Sequence, residues 1–245
     1  MLLPGLSWSR SDRYYPVMPR AHEDDGWIYC PPTEPWLDVL HQDNDLIVVN
    51  KPAGLLSVPG RRAEHQDSAF TRILERFPYA RISHRLDMDT SGVLVVGLHR
   101  RAERWLDRQF QQRAVEKVYL ARVIGHPSDD HGLIDQPLLR LSGQLRSVID
   151  PAGKPSRTRY VVLSRDGDGT ALVRLFPLTG RSHQLRVHLC ALGHPILGDR
   201  FYAPPLPAAS RMLLHAHTLE LLHPTSEERL AFQAPPPERL RSSQS

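Results

Sequence analysis

The stretch of sequence that decides the fold is SHRLDMDTSG, at residues 83–92. It is the most polar segment between two apolar, β-branched runs, LIVV at residues 46–49 and VLVV at residues 93–96. Runs of this length and composition predict buried strands. The polar segment is therefore predicted to be a loop between two strands, a position where functional side chains are common.

Short strand-like runs dominate the rest of the chain. They are predicted at residues 118–124, 158–163, 171–176 and 213–222. Apolar residues at helical spacing predict only two helices, over residues 100–113 and 181–192, and Gly193 is suited to end the second. Many strands with few helices, without strict β–α–β alternation, predict an α+β fold with a mixed, mainly antiparallel sheet flanked by a few helices.

Composition divides the 245 residues into three segments. Residues 1–34 mix proline, aromatic and charged residues without any period, and they predict an irregular extension. Residues 35–235 are predicted to form one folded domain. Residues 236–245 follow a proline-rich stop and predict a polar tail.

The overall composition excludes several protein classes. With 40% hydrophobic and 24% charged residues, it is that of an ordinary globular protein. A net charge of +4 permits a polyanionic partner without requiring one. The two cysteines, Cys30 and Cys190, cannot build a disulfide framework or a four-cysteine zinc site. No apolar run reaches the roughly 18 residues of a membrane span, so we expect a cytoplasmic protein without membrane association.

Three interpretations of residues 83–92 are open from the residues alone. An EF-hand calcium loop beginning at Asp87 would need a glutamate at its twelfth position, where Leu98 stands. The spacing of Asp87 and Asp89 matches the short metal-binding motif of nucleotide-sugar glycosyltransferases, a pattern that arises often by chance. The third interpretation is a structural turn in which Asp89 caps backbone groups and Gly92 supplies the bend.

Further motifs accompany this segment in a fixed order. They are KPAGLLSVPG at residues 51–60, RLD at 85–87, TSG at 90–92, KVY at 117–119, GRSHQLRVH at 180–188 and GHPILGD at 193–199. The ordered set closely resembles the RluA family of RNA pseudouridine synthases. The resemblance covers about residues 36–234, and LLSVPGR at residues 55–61 is most similar to the short, dual-specificity members of that family.

This resemblance implies the pseudouridine synthase fold and the conversion of specific uridines in RNA to pseudouridine. The expected partner is large-subunit rRNA, a tRNA anticodon stem-loop, or both. The residues before Trp36 are too few and too irregular for an S4 RNA-binding domain. Neither a metal nor a nucleotide cofactor is expected, because the reaction breaks and re-forms a glycosidic bond without redox change. We expect the protein to act as a monomer.

The resemblance also implies roles for particular residues. Asp87, Tyr119 and Arg186 are expected to be catalytic. Arg85 is expected to enter the base stack that the flipped uridine leaves, a position that suits a planar guanidinium. Further RNA contacts are implied for His84, Thr90, Arg181, His183 and Gln184.

A basic segment over residues 99–122 supports an RNA partner only modestly. It carries seven lysines and arginines against three acidic residues. Arg100 and Arg101 stand where a helix is predicted to begin, a position that the helix dipole disfavours for cations. Phosphate binding and a solvated helix face explain these charges equally well.

Two rival functions remain beside pseudouridine formation. One is an RNA-binding protein that has lost catalysis, although the presence of Asp87, Tyr119 and Arg186 counts against it. The other is a metal-dependent glycosyltransferase that uses Asp87 and Asp89.

Overall fold

A computed structural model describes residues 28–204 and 209–241. The strands in these ranges are β1 Val39–Gln42, β2 Leu46–Lys51, β3 Ser91–Gly97, β4 Glu116–Ile124, β5 His131–Asp135, β6 Leu138–Arg140, β7 Ser147–Ile149, β8 Arg157–Arg165, β9 Thr170–Pro177, β10 Leu214–Leu222 and β11 Arg229–Gln233. The α-helices are α1 Ala69–Leu74, α2 Arg100–Gln111 and α3 Gln184–Ala191. Short 3-10 helices cover Ala63–His65 and Glu238–Leu240.

Nine of the strands form one sheet. Its order is β1-β2-β3-β10-β4-β9-β8-β5, with β11 paired to β10, while β6 and β7 form a separate hairpin. The β3–β10 pair is parallel, and the other strand pairs are antiparallel. The predicted α+β fold with a mixed, mainly antiparallel sheet is confirmed.

Alternation along the central strands places apolar side chains on both faces of the sheet. In β2, Leu46 and Val48 pack with α2, while Ile47 and Val49 pack with α1. The side chains of β3 alternate in the same way between the α2 side and the α1 side of the sheet, and all residues of this strand are buried. A third core cluster lies between β4, β9 and α3. Burial on both faces explains why these strands are continuous apolar runs in the sequence.

The structure adds elements that the hydrophobic pattern did not predict. Helix α1 has only six residues and begins with a reciprocal capping box between Ser68 and Thr71. Strand β5 lies at the edge of the sheet and is largely exposed, so it lacks an apolar signature. Helix α3 begins at Gln184 rather than at residue 181, because His183 adopts a left-handed backbone with φ of 56°.

The parallel strands β3 and β10 are paired over two residues only and then separate. Only His215 with Ser91 and Ala216 with Gly92 are in register. Gly92 has a φ of +114°, and a Cβ atom there would lie 2.1 Å from the carbonyl oxygen of Ala216. Glycine is required at this position by both its backbone conformation and the close approach of β10.

Beyond Gly92, the edge of β3 that β10 leaves open is occupied by the segment that precedes Asp87. Arg81 forms a two-way backbone bridge with Gly97, and the His84 ring accepts the N–H of Val95 at 3.0 Å. The segment that leads into the predicted loop therefore lies along the edge of β3 opposite to β2, and hydrogen bonds attach it to β3.

The ends of the described chain are packed onto the domain. Leu240 is fully buried against Leu172, Leu197 and Leu213. Within the polar tail predicted from residue 236, this apolar side chain fixes the 3-10 helix Glu238–Leu240 to the core. Residues 28–34 contain neither helix nor strand, whereas 1–27 and 242–245 lie outside the described residues.

We predict that Gly92→Ala destabilises the fold severely, by more than about 3 kcal/mol, because the new Cβ would overlap the backbone of Ala216. The matched control is Gly169→Ala, at a φ of +79° with nothing within 4 Å, where only backbone strain of about 1–2 kcal/mol is expected. Urea denaturation measures both, and equal losses would show that the close approach is unimportant.

Candidate active site

A cleft of about 780 Å³ lies beside β4, with Lys117 and Tyr119 of that strand and Leu214 of β10 in its lining. Its walls are residues 82–87, the C-terminal end of α2 and the segment 177–186 before and within α3. The side chains predicted for the site all line it: Asp87, Tyr119, Arg186, Arg85, His84, Thr90, Arg181, His183 and Gln184. Tertiary structure thus brings together residues that are about 100 positions apart.

Arg186 is the central charge of the site. Its Nη1 donates to Oδ2 of Asp87 at 3.1 Å, and its Nε and Nη2 form a bidentate pair with Asp199 at 2.6 and 2.7 Å. The side chain of Asp87 is 28% exposed, whereas Arg186 and Asp199 are 3% and 0% exposed. The arrangement is a buried arginine shared by two carboxylates, of which only Asp87 reaches the cleft.

The pKa of Arg186 reflects this arrangement. Burial opposes its charge, but the hydrogen bonds and charge of Asp199, followed by the charge of Asp87, raise its pKa above the ordinary value. Asp199 was missed as a site residue, although it ends the GHPILGD motif. Its Oδ1 also accepts the N–H groups of Phe201 and Tyr202, so it anchors the loop that follows.

His183 and Tyr202 stand beside this ion pair. The Nδ1 atom of His183 lies 2.8 Å from the Tyr202 hydroxyl, which also accepts the N–H of Ser147. The Nε2 atom of His183 is 3.8 Å from Oδ2 of Asp87. Burial, assisted by Arg186 and opposed by Asp87, lowers the pKa of His183 to about 4, so the ring is neutral at pH 7.

Tyr119 and Lys117 are two positions apart on β4, so they share one face of the strand, and both line the cleft. Burial raises the pKa of Tyr119 well above its ordinary value, and the charge of Asp87 acts in the same direction. The Tyr119 hydroxyl is therefore protonated near neutral pH. Burial and the neighbouring Arg113 lower the pKa of Lys117.

The predicted RNA-contact residues differ in how accessible they are. Arg85 is exposed at the cleft, whereas Thr90 is 2% exposed. His84 stacks on Phe110 with ring centroids 4.6 Å apart, and burial lowers its pKa to about 3. Both positions of the Gln184 amide are engaged within the protein. His84 and Gln184 therefore hold the wall of the cleft together.

Lys51 supports the loop that carries Asp87. Its ammonium is buried and donates to the carbonyl oxygens of Pro52, Leu55 and Met88 at 2.8, 2.7 and 3.0 Å. Burial lowers its pKa to about 7, with Asp89 and Asp87 opposing. Lys51 thereby joins the KPAGLLSVPG loop to the RLD loop, a link that the sequence motifs did not reveal.

One group of side chains could hold a metal ion among the described residues, namely Asp43, Asp45 and His223. It lies at the far ends of β2 and β10 from the cleft. The Nδ1 atom of His223 accepts the N–H groups of Thr225 and Ser226, which places the ring proton on Nε2. This Nε2–H faces the two carboxylates at 3.3 and 3.5 Å, so hydrogen bonding fits the group better than a metal.

The chain is similar to known proteins across the region that forms the cleft. A model of the RNA pseudouridylate synthase family matches residues 45–191. The chain belongs to this family. The family match includes the RLD loop, β4 and all of α3, and therefore Asp87, Tyr119 and Arg186.

Members of the family are similar to the chain over most of its length. The chain is 55% identical over 211 residues to the Dual-specificity RNA pseudouridine synthase RluA of Escherichia coli, which covers 84% of this chain and 96% of that protein. The RluA of Pasteurella multocida is 47% identical, over 85% of this chain and 97% of its own.

Solved structures of the family share the fold. Human RNA Pseudouridylate Synthase Domain Containing 1 matches with a TM-score of 0.70 and 36% identity, over 84% of this chain and 86% of that chain. Human RNA Pseudouridylate Synthase Domain Containing 4 matches with a TM-score of 0.67 and 28% identity, over 83% and 90%. No helix among the described residues is long and apolar enough to span a membrane.

We predict that the free energy of unfolding falls as the pH drops below about 6.5. Burial lowers the pKa of His84 to about 3 and those of His183 and His215 to about 4, so these rings bind protons only after unfolding. Their stabilising effect is complete above pH 6.5 and is lost towards pH 4, at up to about 1.4 kcal/mol per pH unit for each ring.

Urea denaturation between pH 7.5 and 5.0 measures this loss above the range in which most carboxylates titrate. His215→Asn should make the dependence shallower by about one proton. Equal stability at pH 7.5 and 5.0 in the wild-type protein would contradict the assignment of neutral, buried rings.

Proposed function

We propose that this chain isomerises specific uridines in RNA to pseudouridine, with Asp87 as the catalytic carboxylate. The observation that carries the proposal is the position of Asp87. Its carboxylate is partly exposed in a cleft and lies 3.1 Å from a buried arginine. Family membership supports the reaction type, and the geometry supports the choice of this aspartate.

The reaction detaches uracil from C1′ at N1 and rejoins it through C5, so a proton leaves C5 and N1 gains one. The Asp87 carboxylate begins the sequence by covalent attack or by assisting a glycal-type intermediate. Arg186 fixes the position of that carboxylate through one hydrogen bond, while Asp199 holds the arginine with two. Arg186 thus positions the reacting group and offsets its charge.

The uridine must leave its stack to reach Asp87. Arg85 is exposed beside the cleft and is proposed to fill the vacated place in the stack. Tyr119 is proposed to lie against the uracil, with its protonated hydroxyl near C5. Arg113, Lys117 and Arg181 also line the cleft and give it a positive character that suits a phosphate-bearing substrate.

The proposed substrates follow the relatives, whose name describes a dual specificity. We propose that the chain modifies both large-subunit rRNA and a tRNA anticodon stem-loop. We further propose that it acts as a monomer in the cytoplasm, without metal or nucleotide cofactor.

A metal-dependent glycosyltransferase would need Asp87 and Asp89 to bind one metal ion together, and their ion pairs count against this rival function. Asp87 pairs with Arg186, whereas Asp89 pairs with Arg200 at 3.5 Å, so the two carboxylates do not converge on one ion. Chelation by EDTA is therefore expected to leave activity unchanged. The rival RNA-binding function without catalysis is separated by the first prediction below.

We predict that Asp87→Asn abolishes pseudouridine formation while RNA affinity stays within about threefold. The amide keeps the size of the side chain but removes its charge and its nucleophilic oxygen pair. Pseudouridine is measured in transcripts of both candidate RNAs. Asp135→Asn makes the same change at an exposed ion pair outside the cleft and should keep full activity. Turnover by Asp87→Asn within tenfold of wild type would refute the assignment.

We predict that Tyr119→Phe binds RNA normally but releases the C5 proton slowly. The phenyl ring retains the surface that stacks on the base, worth roughly 1–3 kcal/mol, and only the hydroxyl is lost. RNA tritiated at C5 reports this step, and we expect tritium release to fall by orders of magnitude. Release at the wild-type rate would restrict Tyr119 to stacking.

A further inference from the structure

Helix α2 presents a one-sided basic surface next to the cleft. Arg100, Arg101, Arg104 and Arg108 are exposed and fall within about 100° of one another around the helix axis. The helix ends at Gln111, which lines the cleft, and Arg113 follows on the cleft wall. We call the four arginines the α2 arginine face. It leads from the cleft outward for roughly 16 Å at 1.5 Å per residue.

The arginines of this face have no acidic partners in the part of the chain that the structure describes. No ion pair or side-chain hydrogen bond joins them to another described residue, and Arg108 alone among them lies over an aromatic ring of the described chain, that of Trp105 at 5.6 Å. Glu103 points to the other side of the helix, towards Arg81 at 3.6 Å. Asp107 lies at the flank of the face and is partly buried.

The charges of this face lower the stability of helix α2 in the protein without a bound partner. Arg104 and Arg108 are one turn apart, and like charges at that spacing destabilise a helix. Arg100 and Arg101 occupy the first turn, where the helix dipole disfavours cations. A polyanion bound along the face would remove both penalties.

The orientation of the face is fixed by the inner side of the helix. The Trp105 indole and the Gln109 amide both donate to the carbonyl oxygen of Leu222, at 3.1 and 2.9 Å, and Gln109 accepts the N–H of Leu222 at 2.7 Å. Ala102 and Leu106 are fully buried beneath them. The arginines are thus held at a constant angle to the cleft.

The chemistry of the face favours duplex over single-stranded RNA. Single strands are bound by aromatic platforms on which bases stack, whereas duplex RNA is recognised by shape and backbone contacts. Of the aromatic rings of α2, Phe110 stacks on His84, while the partly buried Trp105 donates its N–H to a backbone carbonyl oxygen and has Arg108 over its ring at 5.6 Å. The exposed face therefore offers cations, and the one ring beside them is already in contact with Arg108, while the cleft offers Tyr119 for one unstacked base.

We propose that the α2 arginine face binds the phosphate backbone of the double-stranded stem adjoining the flipped uridine. This inference rests on the proposed function, since it places the stem relative to a uridine bound near Asp87. The face would then select uridines in loops that are closed by a stem, and the cleft would receive the base.

The test is the double variant Arg104→Gln/Arg108→Gln, which keeps helix propensity and removes two charges. The matched control, Arg76→Gln/Arg174→Gln, removes two charges at exposed positions outside the cleft lining and away from α2. Two RNAs are compared by fluorescence anisotropy, a stem-loop that carries a uridine in its loop and the same loop with strands that cannot pair.

We expect the α2 variant to bind the stem-loop at least tenfold more weakly at about 0.1 M salt. Log affinity falls with log salt concentration, and the steepness of this fall should be smaller by about two for the variant, one for each lost phosphate contact. With the unpaired RNA the loss should be under threefold. The control should stay within twofold of wild type on both RNAs, and pseudouridine kinetics should show the loss mainly in KM. Thermal stability of the α2 variant should be unchanged or higher, because a like-charge pair is removed.

Three results would overturn the inference: wild-type affinity for the stem-loop, equal losses on paired and unpaired RNA, or an equal loss in the control. Failure of the proposed function is a separate outcome, since it would appear as a wild-type protein that forms no pseudouridine in any RNA. The affinity comparison would still test the α2 arginine face in that case.

Discussion

The buried guanidinium of Arg186 is the interaction on which the site depends. Two carboxylates share it, and the three groups come from three segments, the RLD loop, α3 and the loop after Ile196. Desolvating a charge is costly unless partners satisfy it, and removal of one partner from such a set typically costs about 3–5 kcal/mol. The bidentate pair with Asp199 satisfies most of the arginine, which leaves Asp87 held by a single hydrogen bond and open to the cleft. Asp199 thereby satisfies the buried arginine, whereas Asp87 stays accessible from the cleft.

The position of the loop that carries Asp87 depends on a backbone constraint. Gly92 lets β10 approach β3 at two residues, and beyond this point the strands separate. The open edge of β3 receives the segment from Arg81 to His84, whose hydrogen bonds fix where Asp87 emerges. Lys51 fixes the same loop from its other side through Met88. The loop that carries Asp87 is thus held by sheet hydrogen bonds and a buried ammonium in addition to its own turn hydrogen bond from Thr90 to Asp87.

The surface around the cleft is organised for an anionic, extended partner. Cations line the cleft wall, and α2 continues them outward on a face that is anchored from within by Trp105 and Gln109. Net charge alone would not reveal this, because +4 in 245 residues is small. Glu103 of the same helix is turned aside and pairs with Arg81. The distribution of charge, and not its sum, suits an RNA with a stem and one extruded base.

The sequence by itself determined the central strands, α2, the sheet class and the membership of Asp87, Tyr119 and Arg186 in one site. Continuous β-branched runs such as residues 93–96 have few alternatives to a buried strand, and ordered motifs carry the family likeness. Only the tertiary structure decided the rest. Asp199 and Lys51 act through contacts with residues that are distant in the chain. The left-handed backbone of His183 delays the start of α3. Leu240 joins the core because Leu172, Leu197 and Leu213 meet around it. Local hydrophobic patterns predict which side chains are buried. Ion pairs between buried charges, however, form only when segments that are distant in the chain meet in the folded structure.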